Sequence, residues 1–198
     1  LALVFLVACS DAAEMGLDAS APPADAGAES AIEAGPCPAG MALVSAPDAG
    51  VCVDLYEGAL VQGDASWPFY ESLDGVDASA IRAVPAEHIY PQGYISQVQA
   101  AAACARSGKR LCTLAEWTAA CRGQPEHDYV YPYGDTYDPS ACNEGRESPI
   151  VRLFGPNPTY SSAELADPEC DQLDAGLARG GDYPKCESAY GAFDMHGN

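Results

Sequence analysis

The chain has 198 residues, a formal net charge of −20 and a pI of about 4.1. With 29 acidic and nine basic residues, the chain repels a phosphate backbone, so ordinary nucleic-acid binding is excluded. An acidic chain of this kind can bind divalent cations, although most of the carboxylates on an acidic surface serve only to keep a protein soluble.

The first nine residues predict an export signal. The apolar run at residues 1–8 is too short to span a bilayer and is typical of the hydrophobic region of a secretory signal. The sequence Leu6-Val7-Ala8-Cys9 is similar to a bacterial lipobox, in which the cysteine thiol receives the lipid. We therefore expect residues 1–9 to be the remnant of a lipoprotein signal and Cys9 to anchor an extracytoplasmic protein of the bacterial cell envelope. The alternative is an ordinary signal peptide with an incidental cysteine.

Residues 10–36 predict a tether. They are dominated by Ala, Asp, Glu, Pro, Gly and Ser and contain no aromatic residue, so they cannot bury enough surface to offset the entropy of ordering. They hold six acidic and no basic residues, which leaves 23 acidic against nine basic residues in 37–198 and a formal charge of −14 there. Residues 37–198 are enough for one folded domain.

Cysteine usage in that domain predicts disulfides. An even number of cysteines in an exported domain is typical of a disulfide framework, although the sequence cannot choose the pairing. Zinc is the competing interpretation, and it is disfavoured because no Cys-x-x-Cys pair exists and the three histidines are not spaced as ligand pairs. With Cys9 set aside, the domain has Cys37, Cys52, Cys104, Cys112, Cys121, Cys142, Cys170 and Cys186.

Two capping boxes predict two short helices. Ser96 with Gln99 begins the first, which Gly108 ends, and its apolar spacing predicts a buried face of Val98, Ala101, Ala102 and Ala105. Thr113 with Glu116 begins the second, which ends at Gly123 and has a predicted buried face of Leu114, Trp117 and Cys121.

Strand character is found at residues 41–44 and 51–56, with a turn at 47–50 between them. After Tyr129 the chain is rich in Gly, Pro, Asp and Asn and has few periodic stretches. We therefore expect an α+β domain with little regular secondary structure, held together by disulfides.

Three motifs resemble one family. They are the block Gly108-Lys-Arg-Leu-Cys-Thr-Leu-Ala-Glu-Trp117, the loop Tyr131-Pro-Tyr-Gly134, and Asp194-Met-His-Gly-Asn198, the first half of a Gly-Asn-x-Trp-Glu-Trp block. This pattern is similar to that of the formylglycine-generating-enzyme, or sulfatase-modifying factor, family. The resemblance covers about 37–198, with departures at Gly58-Ala59 and at Gln97, where the family has Val-Thr and an aromatic residue. It implies an elaborated C-type-lectin-like fold, C-terminally incomplete in this sequence.

The resemblance implies an activity whose residues we do not expect in this sequence. In that family a copper-bound cysteine pair and molecular oxygen convert a client cysteine to formylglycine, and thiolates suit Cu(I). The matching pair would follow Asn198, so no catalytic residue and no copper ligand is predicted here. In that family the cysteines that match Cys104 and Cys121 can also pair with partners further along the chain. A related domain in sulfoxide synthases is fused to an iron-binding helical bundle, and no such bundle precedes Cys37.

The alternative function is a non-catalytic, lectin-like recognition module that presents loops to a peptide or glycan at the cell envelope. Two positions favour it over the named activity, because Gly58-Ala59 and Gln97 depart from the family pattern. Tyr129, Tyr131 and Tyr133, together with Trp67, Phe69 and Tyr70, are candidates to line its groove.

Calcium is the cofactor that the resemblance implies within this chain. One family site maps onto Asn143 and Glu144, and a second onto Asp194 and Gly197. Loops rich in Asn, Asp and Gly supply the oxygen ligands that calcium prefers. The alternative is that Asn143 and Asp194 are only turn residues.

Three charged positions have ordinary structural explanations. The spacing of Glu116 from Thr113 explains it as a helix cap rather than a catalytic acid. Lys109 and Arg110 are expected to pair with carboxylates, with substrate contact as the alternative.

Overall fold

A computed structural model describes residues 7–11, 37–45, 50–123, 128–173 and 176–198. Residues 1–6 of the predicted signal, most of the predicted tether, and residues 47–49 of the predicted turn lie outside the described residues. Within these ranges, no helix has both the length and the apolarity needed to cross a membrane.

The described residues form two small antiparallel sheets and five short helices. The strands are β1 (Ala8–Asp11), β2 (Met41–Ser45), β3 (Gly50–Asp54), β4 (Gly58–Gln62), β5 (Ala65–Ser66), β6 (Ile81–Pro85) and β7 (Arg110–Leu111). The helices are α1 (Gln97–Arg106), α2 (Leu114–Arg122), α3 (Pro149–Phe154), α4 (Ser162–Leu165) and α5 (Glu169–Gln172), with a 3-10 turn at Ala78–Ala80.

The first sheet has the order β2-β3-β1-β7. Pairing of Met41 with Asp54 and of Ser45 with Gly50 confirms the two predicted strands and places them in one hairpin. β1 lies between β3 and β7, where Cys9 faces Val53 and Arg110. Residues 8–11, predicted to belong to a signal remnant and a tether, are thus placed as an interior strand of the domain.

The second sheet has the order β5-β4-β6, and α1 packs beside β6. Between this sheet and α1 lies an apolar core built around Leu60, Ile81 and Leu73. A second core, around Val51, Val53 and Met195, joins the first sheet to α2.

Both predicted helices are confirmed by their caps. Ser96 and Gln99 form the capping box of α1, and Thr113 and Glu116 form that of α2. Local side chain to backbone bonds define such starts, which is why sequence spacing predicts them well.

The predicted buried faces of these helices are partly wrong. α1 buries Ala100, Ala103 and Cys104, whereas Val98 is 80% exposed. α2 buries Ala120 and Cys121, and Leu114 is 80% exposed. Alanines occupy half of α1, so small residues are present on several sides of the helix, and the packing of the sheet, not the periodicity, selects the buried face.

Three disulfides confirm the disulfide prediction in part. They join Cys9 to Cys112, Cys37 to Cys52, and Cys142 to Cys186. Cys104, Cys121 and Cys170 are buried and unpaired, so the framework does not use all eight domain cysteines.

The Cys9–Cys112 disulfide bears directly on the predicted lipid anchor. A sulfur that is bonded to Cys112 has no thiol left to receive a lipid. Cys9 is also 0% exposed and lies within the second core. The disulfide and the predicted lipidation of Cys9 therefore exclude each other on the same molecule.

Candidate functional site

A surface groove of about 980 Å³ lies between three segments of the chain. They are the loop 70–74, residues 94–99 at the start of α1, and residues 166–172 at α5. Clefts of several hundred cubic ångströms are the usual size of ligand sites. This groove is therefore large enough to be a candidate binding site.

The buried side chain of Gln92 holds the loop against the segment before α1. Its Nε2, which has two N–H donors to share, lies 3.0 Å from Phe69 O, 3.1 Å from Glu71 O and 2.9 Å from Gly93 O. The Gly93 N–H donates in turn to Phe69 O at 2.8 Å. Since Gln92 is only 6% exposed, these bonds form away from competing water and fix one wall of the groove.

The other walls are fixed by single contacts. Gln99 Nε2 donates to Asp74 Oδ1 at 3.2 Å and ties the loop to α1. The Tyr94 hydroxyl donates to the carbonyl of Asp167, which lies just before α5. The groove is thus assembled before any ligand arrives.

Gly93 permits the close approach of α5. A Cβ added at Gly93 would lie 1.9 Å from Asp171 Oδ2, so a side chain there would displace the Asp171 carboxylate. Burial raises the pKa of Asp171 to about 6.

The exposed lining of the groove is mostly apolar, and none of its twelve residues is basic. Tyr70 and Tyr94 supply aromatic rings, and Glu71, Asp74, Gln97 and Gln172 supply planar polar groups.

The four predicted calcium ligands occupy one region near Asn198. Asn198 N donates to Asn143 O at 3.0 Å. A Cβ at Gly197 would lie 2.7 Å from the same carbonyl oxygen, so glycine permits this packing. The structure therefore brings Gly197 of one predicted site against Asn143 of the other.

Two oxygens of the first predicted site lack donors. Asn143 Oδ1 and Glu144 Oε1 are buried and receive no hydrogen bond from any described residue. The second carboxylate oxygen of Glu144, Oε2, lies 2.7 Å from His196 Nε2. Buried acceptors without donors are uncommon, and a cation bound through oxygen is one partner that such an acceptor can take.

Asp194 of the second predicted site already has a backbone partner. The Gly181 N–H donates to Asp194 Oδ2 at 2.7 Å, and Asp194 has a positive φ of 56°. Burial raises the pKa of Asp194 to about 6, and the Gly181 bond lowers it only in part. These contacts match the alternative prediction, that of a turn residue. No group of three or more His, Cys, Asp or Glu side chains positioned for a metal ion is found in the described ranges.

A buried glutamate adjoins this region. Asn198 Nδ2 donates to Glu57 Oε2 at 2.5 Å, and its Oδ1 accepts from Asn143 Nδ2 at 2.8 Å. Burial raises the pKa of Glu57 to about 8, against the lowering effect of Asn198. Glu57 therefore carries a proton at neutral pH.

The charged residues between α1 and α2 have structural partners. Arg110 donates to both carboxylate oxygens of Glu116, at 2.8 and 2.7 Å, and this is the main cause that lowers the Glu116 pKa to about 2. Lys109 Nζ lies 2.5 Å from Asp54 Oδ1. The predicted cap and ion-pairing roles agree with these contacts, and Trp117 packs against the second core as predicted.

The aromatic candidates form separate groups rather than a single groove. Tyr131 stacks on Tyr133 with ring centroids 5.3 Å apart and contacts the edge of His196. Phe69 stacks on Tyr90 and contacts the edge of Tyr70. Of the six predicted aromatic residues, only Tyr70 lines the groove.

The three unpaired cysteines are not placed as a reactive pair. Cys104 belongs to the first core and Cys121 to the second. Burial raises the pKa of each thiol to about 11, which opposes formation of the thiolate that copper or a nucleophilic role requires.

Several residues of the groove were not predicted from the sequence. The Gln92 side chain bonds to the loop that begins the groove. Tyr94, Gln172 and the loop 70–74 line the groove although they lie far apart in the sequence. The sequence feature that pointed to the groove is Gln97, which stands where the resembled family has an aromatic residue.

Comparison with known proteins identifies the domain. The family model described as "Sulfatase-modifying factor enzyme 1-like domain" matches residues 63–198, which leaves the predicted domain start at 37–62 outside the match. No curated protein and no solved structure matches the chain. Since the family match covers more than half of the chain and includes all three segments of the groove, the chain belongs to the formylglycine-generating-enzyme, or sulfatase-modifying factor, family.

Proposed function

We propose that this chain is an exported recognition module of the family and that the groove holds its ligand. The observation that carries the proposal is the groove itself, a mostly apolar cleft of about 980 Å³ that also holds aromatic rings and polar side chains and is fixed by the Gln92 clamp. A pre-formed site binds without first being ordered, which favours affinity.

An extracytoplasmic location is supported by the disulfides. Three disulfides in a domain of this size are expected in an oxidising compartment and rare in the cytosol. In molecules that hold the Cys9–Cys112 bond, attachment to a membrane requires a means other than the Cys9 thiol. A C-type-lectin-like arrangement is in keeping with the mixed helices and sheets and the long irregular segments, and it is part of the proposal.

Calcium is proposed as a structural cofactor of the domain. Asn143 Oδ1 and the Glu144 carboxylate fit the ion's preference for oxygen, and both have an oxygen without a donor. Asp194 and Gly197 are the proposed second set, with weaker support because Asp194 already accepts from Gly181. A bound ion would hold the Asn143 loop against residues 197–198.

Cysteine oxidation is the second candidate, and family membership favours it. The described thiols do not fit a copper pair, because Cys104 and Cys121 lie in different cores and hold their protons at neutral pH. Incubation of the protein with Cu(I), oxygen and a cysteine-containing peptide, followed by mass spectrometry, tests this candidate. Formylglycine in the peptide would replace the recognition proposal.

A substitution that fills the groove with a large side chain tests the proposal. Ala166 lines the groove at the end of α4, so Ala166→Trp places an indole in it. Ala163→Trp is the matched control, because Ala163 lies exposed on the same helix and outside the lining. On peptide and glycan arrays, the Ala166 variant should lose the ligands of the wild type and the Ala163 variant should keep them. Equal binding by both variants would contradict the proposal.

A further inference from the structure

We infer that the ligand of the groove is an uncharged oligosaccharide. The inference rests on the proposed function and adds to it the chemical class of the ligand. It rests on three properties of the lining. These are the kinds of polar group present, their charge, and the absence of hydrogen-bond partners for some of them.

Charge excludes acidic ligands. No basic residue lines the groove, whereas Glu71 and Asp74 supply two carboxylates. Residues 37–198 carry a formal charge of −14, so the long-range field also repels anions. Phosphorylated, sulfated and uronic-acid ligands are therefore unsuited to this site.

The polar groups of the lining also favour a neutral polyol over a cationic peptide. A cation needs acceptors alone, whereas sugar hydroxyls both donate and accept. The groove offers both kinds of group, because the Gln97 amide donates and accepts while the Glu71 carboxylate accepts. Neither side chain has a hydrogen-bond partner among the described residues, so both are available to a ligand.

Several other groups are already used within the protein. Gln99 donates to Asp74 Oδ1, and Gln172 Nε2 donates to Pro168 O at 3.0 Å. The Oε1 of Gln172 and the second oxygen of Asp74 remain as acceptors. Planar amides and carboxylates of this kind can bond two adjacent hydroxyls of one sugar ring.

The aromatic residues match the other surface of a sugar. The C–H face of a pyranose ring packs on an aromatic ring, and Tyr70 and Tyr94 both line the groove. Tyr94 uses its hydroxyl on the Asp167 carbonyl, which holds the ring in place. The Tyr70 hydroxyl has no hydrogen-bond partner in the described ranges, so it is available, and Phe69 packs against the ring. A volume of about 980 Å³ accommodates several sugar units rather than one cationic side chain.

Isothermal titration of the purified protein tests the inference. The probes are four neutral tetrasaccharides, namely cello-, chito-, manno- and maltotetraose, together with a lysine-rich peptide and a heparin tetrasaccharide. At least one neutral tetrasaccharide should bind at millimolar concentration, and heparin should not bind. Tyr70→Leu and Gln97→Ala should each weaken the sugar about tenfold, equivalent to about 1.4 kcal/mol.

Matched controls separate the groove from the rest of the surface. Tyr137→Leu removes an aromatic ring that is 51% exposed in the other aromatic group, and Gln62→Ala removes an exposed amide from β4. Both should bind the sugar as the wild type does. Equal weakening by Tyr137→Leu and Tyr70→Leu would overturn the inference.

The other probes distinguish this inference from the proposed function. Tighter binding of the lysine-rich peptide than of any sugar, with loss in Tyr70→Leu, would overturn the sugar assignment and leave recognition by the groove intact. Absence of binding by every neutral sugar and by the peptide would overturn both.

Discussion

Asn198 Nδ2 lies 2.5 Å from Glu57 Oε2, so residues 141 positions apart share one buried hydrogen bond. Glu57 is 2% exposed, and burial has a larger effect on its pKa than this hydrogen bond has. The bond joins the start of β4 to the region of the proposed calcium ligands.

Stability should fall as the pH rises through the Glu57 titration. The pKa of Glu57 is raised from 4.5 to about 8, so between these values the folded chain holds a proton that the unfolded chain has lost. The free energy of unfolding should therefore decrease by at least about 1.4 kcal/mol from pH 5 to pH 8. Asp194 and Asp171, each raised to about 6, add a decrease of the same sign at lower pH.

Urea unfolding at several pH values checks this, with Glu57→Gln as the comparison. The glutamine keeps an uncharged oxygen for Asn198 and removes the titration. Its free energy of unfolding should change less than that of the wild type between pH 6 and 8. Parallel curves for the two proteins would contradict the assignment of a buried, protonated Glu57.

The Cys9–Cys112 disulfide should stabilise the domain strongly. It closes a sequence separation of 103 residues, against 15 for Cys37–Cys52. On the chain-entropy model, Cys112→Ala should lower the free energy of unfolding by about 4–5 kcal/mol and Cys37→Ala by about 3 kcal/mol. Thermal unfolding of both variants measures the difference, and a smaller effect for Cys112→Ala would argue against the placement of β1.

The same disulfide decides between two uses of Cys9. Peptide mapping of the unreduced, exported protein should recover Cys9 joined to Cys112. A lipid-modified Cys9 peptide together with a free Cys112 would show instead that the lipobox prediction is right and that β1 is not an interior strand.

Calcium should stabilise the protein more than magnesium does. For sites of extracellular type, with Kd of about 10⁻⁴–10⁻³ M, millimolar calcium should raise the Tm by a few degrees. Glu144→Gln should reduce this gain, because it removes a charged ligand with one oxygen lacking a donor. Glu147→Gln is the control, since Glu147 is exposed and changes the net charge equally. Equal gains with calcium and magnesium would indicate charge screening only.

Gln92 should matter more than any other side chain of the groove walls for stability. Gln92→Ala leaves the carbonyls of Phe69, Glu71 and Gly93 without this donor, and should lower the free energy of unfolding by about 2–3 kcal/mol. Gln62→Ala, at the exposed end of β4, should change it by less than about 0.5 kcal/mol. Chemical denaturation compares the two, and similar values would contradict the clamp.

Local features of the fold were predictable from the sequence and long-range ones were not. The caps of α1 and α2 depend on residues three positions apart, so Ser96–Gln99 and Thr113–Glu116 were identified correctly. The exposure of Leu114 and the pairing of Cys9 depend on how distant segments pack. No short-range pattern encodes that packing.

The candidate site shows the same division. The resemblance indicated Asn143 and Glu144, and each has one buried oxygen that lacks a donor. The groove escaped prediction because its walls come from three separated segments joined by Gln92 and Tyr94.

The most direct test of the recognition groove is a titration of isotopically labelled protein with the best-binding tetrasaccharide, followed by amide chemical shifts. We expect the largest shifts at residues 70–74, 94–99 and 166–172, with little change at Tyr131, Tyr137 or His196. Shifts centred on that second aromatic group, or no shifts at saturating sugar, would contradict the account.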